Sequence, residues 1–436
     1  MDIPFLKHTL DNGLDVIVHE DRAVPIVAVN VWYHVGSKNE LPGRTGFAHL
    51  FEHLMFEGSQ HYDRGYFHPL QEAGAALNGS TNADRTNYWE VVPTNALDLA
   101  LWMESDRMGY LLPALTEAKF ENQRDVVLNE RRQNYENRPY GMAGMAIVDA
   151  LYPPDHPYHW LTIGAADDLR AANIDEVRAF FQGYYHPRNA SLSISGDVAV
   201  DEALRLAEQY FAEIPGAPRP ARVSPGACAP PKDEIRLVLE DRVELPRLYL
   251  AWHSPALFSD GDAELDLVAD LLASGKTSRL YRALVYEQRI ATEVAASQNS
   301  REAGSFFQVV ATAAPGRMLA ELERAISREL ATLNEKGPTP GELERCLAQA
   351  ESHFIFRLQT IGGFGGKSDQ LNAYNTFLGD PGYFERDLMR YRAATPEALR
   401  SAAARYLLPR RRVILSVVPR GRLGLALEAS RGVAVS

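Results

Sequence analysis

The pattern of apolar and polar positions divides the chain into a succession of strand-like and helix-like segments. Asp11-Asn12-Gly13 reads as a tight turn joining residues 8–10 to 14–18, because Asn-Gly supplies the positive φ angles of a hairpin. Residues 25–35 (PIVAVNVWYHV) form a β-branched and aromatic run suited to a buried strand. Residues 45–58 (TGFAHLFEHLMFEG) read as a short helix with Thr45 at its N-cap and Gly58 beyond its end. Residues 70–77 predict another helix, and residues 78–92 pass from polar to strand-like. Residues 95–111 and 115–138 read as two helices, the second long and charged. Helices over 174–184 and 200–214 flank a strand at 190–196.

Residues 214–232 carry six prolines and two glycines and read as a linker. Beyond it the order of elements repeats: strands at 234–240 and 247–253, helices within 262–284, helices at 341–358 and 396–406, and a closing strand at 412–418. The expectation is a domain at 1–214, a linker at 215–232 and a homologous domain at 233–436. Strands come in runs, not in strict alternation with helices, so the fold class is α+β with mostly antiparallel sheets.

At 436 residues the chain exceeds the usual single-core limit. It is 46% hydrophobic and 23% charged, an ordinary globular balance. The net charge of −12 argues against a nucleic-acid partner. No apolar run of about 18 residues exists to span a membrane. Cys228 and Cys346 give no disulfide framework. The opening MDIPFLKHTL lacks the basic start and apolar core of a leader. The expected location is cytoplasmic, or periplasmic if a leader has been removed.

Candidate chemistry lies in the helix at 45–58. Phe47, Leu50, Phe51, Leu54, Met55 and Phe56 cover most of its circumference, so it should be largely buried. Yet His49, Glu52 and His53 share one face at spacings of three and four. Three titratable groups side by side in an apolar frame are costly to bury unless something pairs with them. A divalent metal does so, with two imidazoles as ligands and the carboxylate left to work on a water. His-x-x-Glu-His reverses the commoner zinc-protease order. A catalytic zinc site takes three protein ligands, so a third is needed, usually a carboxylate beside two histidines. The charged helix offers Glu117, Glu121, Glu130 and Glu136, with Gln123, Val127 and Glu130 on one stripe. From that helix alone Glu130 reads as a surface acid, and residues 78–81 read as a loop.

The motif His49-x-x-Glu52-His53 with Glu130 beyond it resembles the pitrilysin/insulinase family of inverted-motif zinc peptidases. So do HLFEHLMFEGS, LNGSTNADRTNYWE, FENQRDVVLNE, GKTSRLYRALVYE and GGFGGKSDQLNAYNTFLGDPGYF, which cover nearly all of the chain. The resemblance implies two homologous domains of mostly antiparallel sheet flanked by helices and enclosing a chamber. It implies one Zn2+ on His49, His53 and Glu130, with Glu52 as general base for hydrolysis of peptides or small unfolded proteins. Zinc also suits two imidazoles and a carboxylate better than manganese or cobalt. An outer-shell glutamate common seven residues before the ligand is here Gln123, an amide without charge. Asn78, Gly79, Ser80 and Thr81 match an edge strand to which an extended peptide substrate adds.

Active members also use an Arg and a Tyr from the second domain. Val285 and Thr292 stand at those positions. The expectation is a heterodimer in which a related subunit supplies the missing pair. The alternative is a non-catalytic scaffold subunit, against which the intact metal set argues. Ser274-Gly275-Lys276-Thr277 and Gly365-Gly366-Lys367-Ser368 lack the earlier glycine of a phosphate loop. His156 and His159, in DHPYHW, read as part of a rigid loop.

Overall fold

The structure is a computed structural model that describes residues 3–223 and 230–434. Cys228 and the middle of the linker at 215–232 lie outside the described residues. Two six-stranded sheets organise the described chain. The first contains β1 (Leu6–Thr9), β2 (Asp15–Glu20), β3 (Ile26–Tyr33), β4 (Ala76–Thr81), β5 (Thr86–Pro93) and β6 (Ala190–Gly196), in the order β1-β2-β6-β3-β5-β4. The second contains β7 (Ile235–Asp241), β8 (Arg247–Ser254), β9 (Ala291–Asn299), β10 (Ser305–Ala313), β11 (Val413–Pro419) and β12 (Arg431–Gly432), in the order β12-β7-β11-β8-β10-β9. From their second strand onward the two orders correspond strand for strand. Each also contains a parallel pair, β2 with β6 and β7 with β11, within an otherwise mostly antiparallel ladder.

The helices, in chain order, are α1 (Phe47–Leu54), α2 (Phe67–Glu72), α3 (Leu97–Ala114), α4 (Glu117–Arg131), α5 (Ala143–Leu151), α6 (Ala166–Ala171) and α7 (Ile174–Tyr184). They continue with α8 (Val200–Phe211), α9 (Asp262–Ala273), α10 (Leu319–Lys336), α11 (Pro340–Arg357), α12 (Lys367–Leu378), α13 (Phe384–Arg392) and α14 (Pro396–Tyr406). A helix expected over 70–77 gives way to a strand. Gly74, at φ +86°, closes α2, and Leu77 pairs with Glu90 in the sheet. The charged helix stops at Arg131 and passes into a π-helical turn.

The chain forms two compact units that interleave along the sequence. One comprises Met1–Asn129, Thr162–Val223 and His353–Arg386, the other Glu130–Leu161, Ser224–Ser352 and Asp387–Ser436. In the first, alternate residues of β2, β6 and β3 form rows across one sheet face. Val16, Leu192 and Val31 make one row and Val18, Ile194 and Val29 the next, all inaccessible to solvent. Alternation is what a pleated strand imposes, and α3 and α8 cover this apolar face.

The opposite face of the same strands is polar. Asn30, Ser191 and Asn87 lie there, and α12, from the far end of the sequence, covers them. Asp369 accepts from Asn30 Nδ2 (3.3 Å), Trp32 Nε1 (2.8 Å) and Asn87 Nδ2 (3.1 Å). Asn372 donates to the Asn30 carbonyl (2.7 Å) and accepts from Ser191 Oγ (2.7 Å). These bonds supply the partners that buried polar groups require. In the second unit α5, from the early part of the chain, packs on β8 and β11, while α10 and α14 join the core that includes Leu248, Leu250 and Trp252.

Candidate metal centre

Helix α1 begins one residue later than the sequence predicts. Thr45 is not the N-cap, because its hydroxyl donates to Asp168 (2.7 Å). Gly46 caps instead, at φ +91°, a conformation glycine adopts without strain. The first turn's free N–H groups go to a distant carboxylate: Gly46 N and Ala48 N donate to the two oxygens of buried Glu40, each at 2.9 Å. An acid at this end also complements the helix dipole. Phe47, Leu50, Phe51 and Leu54 are buried, and Phe51 packs against Phe180, Phe181 and Tyr185.

With α1 fixed in rotation, His49, Glu52 and His53 are left half-buried on its other side. The two imidazoles meet edge to face with centroids 4.9 Å apart. Glu130, in the last turn of α4, joins them. One ligand atom from each of His49, His53 and Glu130 lies within 4.8 Å of the others. No other such trio of His, Cys, Asp or Glu occurs among the described residues. Two neutral nitrogens and one carboxylate oxygen are the donor set of a three-ligand zinc site. Asn134 donates to Glu130 Oε1 (3.2 Å), which orients the carboxylate. Gln123, two turns earlier on the same stripe of α4, donates to Glu57.

Asn78, Gly79, Ser80 and Thr81 lie on β4, the edge of the first sheet, not on a loop. β4 packs beside α1. The Asn82 N–H bonds the Arg85 carbonyl (3.0 Å), so alternation along the ladder turns the backbone groups of Leu77, Gly79 and Thr81 to the unpaired side. Gly79 is confined: a Cβ there would meet Tyr88 at 3.0 Å and Phe56 at 3.1 Å. Arg85, which pattern alone does not single out, donates to the Ser80 carbonyl (2.7 Å) and to its hydroxyl (2.5 Å). Burial lowers the Arg85 guanidinium, while Asp369, Glu52 and Asp84 hold it charged, which places it in the field of Glu52.

Among its described residues the second unit offers no equivalent centre. Helix α9 starts after Gly261, whose φ of +94° matches that of Gly46 before α1. Counting from those two glycines, buried Leu267 and Val268 stand where Glu52 and His53 stand. Val285 packs against the second unit's core, and the Thr292 hydroxyl donates to the Thr312 carbonyl (3.4 Å). The other lures resolve structurally. Lys367 pairs with Asp21 (2.6 Å). His156 Nδ1 accepts from the Tyr158 N–H (3.0 Å), and His159 bonds the Tyr152 carbonyl (2.7 Å). No helix among the described residues is long and apolar enough to cross a membrane.

Comparison with known proteins adds a family. Residues 15–152 match the profile "Insulinase (Peptidase family M16)", and residues 171–350 match "Peptidase M16 inactive domain". The zinc protease PqqE of Helicobacter pylori is 31% identical over 362 residues, 82% of this chain and 81% of that protein. The crystal structure of a protease from Helicobacter pylori superposes with a TM-score of 0.88 at 27% identity, covering 96% of this chain and 100% of that one. The periplasmic protease PqqL from Escherichia coli shares the fold, with a TM-score of 0.79 at 19% identity over 98% of this chain and 50% of its own.

Proposed function

The chain belongs to the insulinase family of peptidases, family M16, and on that footing we propose that it is a zinc-dependent endopeptidase subunit acting on peptides or small unfolded proteins. The observation that carries this reading is the approach of His49, His53 and Glu130 to within 4.8 Å, with Glu52 beside them on α1 and outside the trio. Those three residues would hold the ion. A zinc ion there supplies Lewis acidity to a water and to the scissile carbonyl. Glu52 takes the water's proton and passes it to the leaving nitrogen, which requires that it not be a ligand. An extended substrate adds to β4 through the outward backbone groups of Leu77, Gly79 and Thr81. Asn78 and Ser80 turn their backbone groups toward β5, and Asn78 Oδ1, which accepts from the Gly79 N–H (2.8 Å), gives that donor up to the substrate.

On the same reading residues 1–214 and 233–436 are duplicates of one ancestral domain, and their matching strand orders support this. A related subunit supplies the Arg and Tyr for which Val285 and Thr292 stand. The intact metal trio weighs against a purely structural role. The chain works in the cytoplasm, or in the periplasm as the Escherichia coli relative does. The test is metal analysis of the purified chain together with hydrolysis of a quenched fluorescent peptide, with and without chelator. One zinc per chain and chelator-sensitive cleavage are expected. Absence of bound zinc in a folded, zinc-supplemented sample overturns the reading.

A further inference from the structure

We propose that Glu57 is a positioning residue of the metal centre, acting through a hydrogen-bonded rung to Gln123. The proposal rests on the zinc reading above and adds a residue to it. Helix α4 presents Lys119, Gln123 and Glu130 along one stripe, at spacings of four and seven. Facing them, in order, are Asp63, Glu57 and the pair His49 and His53. Lys119 Nζ pairs with Asp63, Gln123 Nε2 donates to Glu57 Oε1, and Glu130 approaches the imidazoles. Phe120 and Val127, inaccessible to solvent, hold the same side of α4 against the core. The metal trio is thus the last of three rungs between α4 and the segment that begins with α1. A rotation or slide of α4 as a whole would strain the Gln123–Glu57 bond together with the position of Glu130.

The chemistry of the middle rung is specific. Gln123 is the position where family resemblance implies a glutamate. A carboxylate there would face the carboxylate of Glu57, and two like charges at contact disfavour each other. An amide donates to Glu57 instead.

Zinc affinity of the full chain, by competition with a chromogenic chelator, and the visible spectrum of the cobalt-loaded protein test this. E57A is expected to weaken zinc about 10-fold, the low end for a group that supports a ligand's position without bonding it, and to change the cobalt band shape. Q123E is expected to weaken it as well, by opposing two carboxylates. The exchange E57Q/Q123E rebuilds donor and acceptor in reverse and is expected to restore both affinity and spectrum, while the thermal midpoint of the metal-free protein stays level across the set. E57A binding as tightly as the unaltered chain, or an exchange variant no better than Q123E, overturns the proposal alone. An unaltered chain that binds no zinc overturns the metal reading and this inference with it. Should E57A not fold, Q123E and its exchange partner, each close to isosteric, decide the matter.

Discussion

Arg107 and Glu104, one turn apart on α3, form a two-point ion pair without access to solvent: Nε donates to Oε2 at 2.9 Å, Nη2 donates to Oε1, and the side chains are 1% and 0% exposed. The guanidinium lies 3.9 Å from the Tyr66 ring centre and 4.2 Å from that of Tyr88. It also lies over Phe56, just past α1. Glu90, from β5, joins the pair. Burial first and the charge of Glu104 second push the Glu90 carboxyl well above its ordinary range.

This arrangement separates two substitutions that look alike in sequence. R107M leaves Glu104 buried without its cation and is expected to cost about 3–5 kcal/mol. E90Q replaces a carboxyl held toward its neutral form by a neutral amide of the same size, and is expected to stay within about 1 kcal/mol of the unaltered chain. Urea-unfolding midpoints of both variants check the contrast. Equal losses would mean that Glu90 is ionised.

Acid should destabilise the second unit in a defined window. Burial lowers His253 and pushes His156 down to about 4. An unfolded histidine titrates near 6.5, so below that pH the unfolded chain takes up protons that the folded chain refuses. The stability from these neutral imidazoles is complete above about pH 6.5 and is lost as pH falls toward 4. Asn at 156 can still accept from the Tyr158 N–H without titrating. H156N is therefore expected to flatten the thermal midpoint against pH over that interval. An unchanged slope would remove His156 as the source.

Glu52 should separate metal binding from turnover. E52Q keeps the size of the side chain and removes its basicity. Zinc content by elemental analysis is expected to match the unaltered chain, and peptide cleavage is expected to drop about 10²–10⁴-fold. Cleavage at the original rate would show that another group takes the proton.

Much of the metal helix was legible because its signal is local. Three ligating or basic groups within five residues of an apolar frame need no knowledge of the fold. The alternation in β3 was legible for the same reason: Val27, Val29 and Val31 announce one buried face. What covers Asn30 on the other face was not, since its partners Asp369 and Asn372 come from α12, hundreds of residues away. The capping of α1 by Glu40, in place of Thr45, was hidden likewise. Glu130 and Glu57 needed the approach of α4 to residues 49–57, which no single-helix pattern contains. Strand β9 announces no buried face, because its small and polar residues stay largely accessible.

Gly79 tests whether β4 is a substrate edge. In G79A the new methyl would press on the Phe56 and Tyr88 rings, both fixed by Arg107, so the strand must shift outward by a few tenths of an ångström. Overpacking of this kind costs about 1–3 kcal/mol. If peptide bonds to the outward side of β4, KM is expected to rise while zinc content stays level. A KM equal to that of the unaltered chain would place the substrate elsewhere.

The last prediction concerns the vacant half of the chemistry. Val285 is turned into the core of the second unit, and Thr292 bonds a neighbouring strand, so neither presents a cation or phenol to a developing oxyanion. Loss of one such donor typically lowers turnover about 10²–10³-fold. The chain alone is therefore expected to bind zinc but cleave slowly. Mixing with a related chain that carries Arg and Tyr at the matching positions should raise the rate by that order. The mixture should also elute as one species of about twice the mass. Rapid cleavage by the isolated chain would rule out the partner and turn attention to Arg85, the half-buried cation on which the charge of Glu52 acts. In that event R85Q, and not a partner, should abolish turnover.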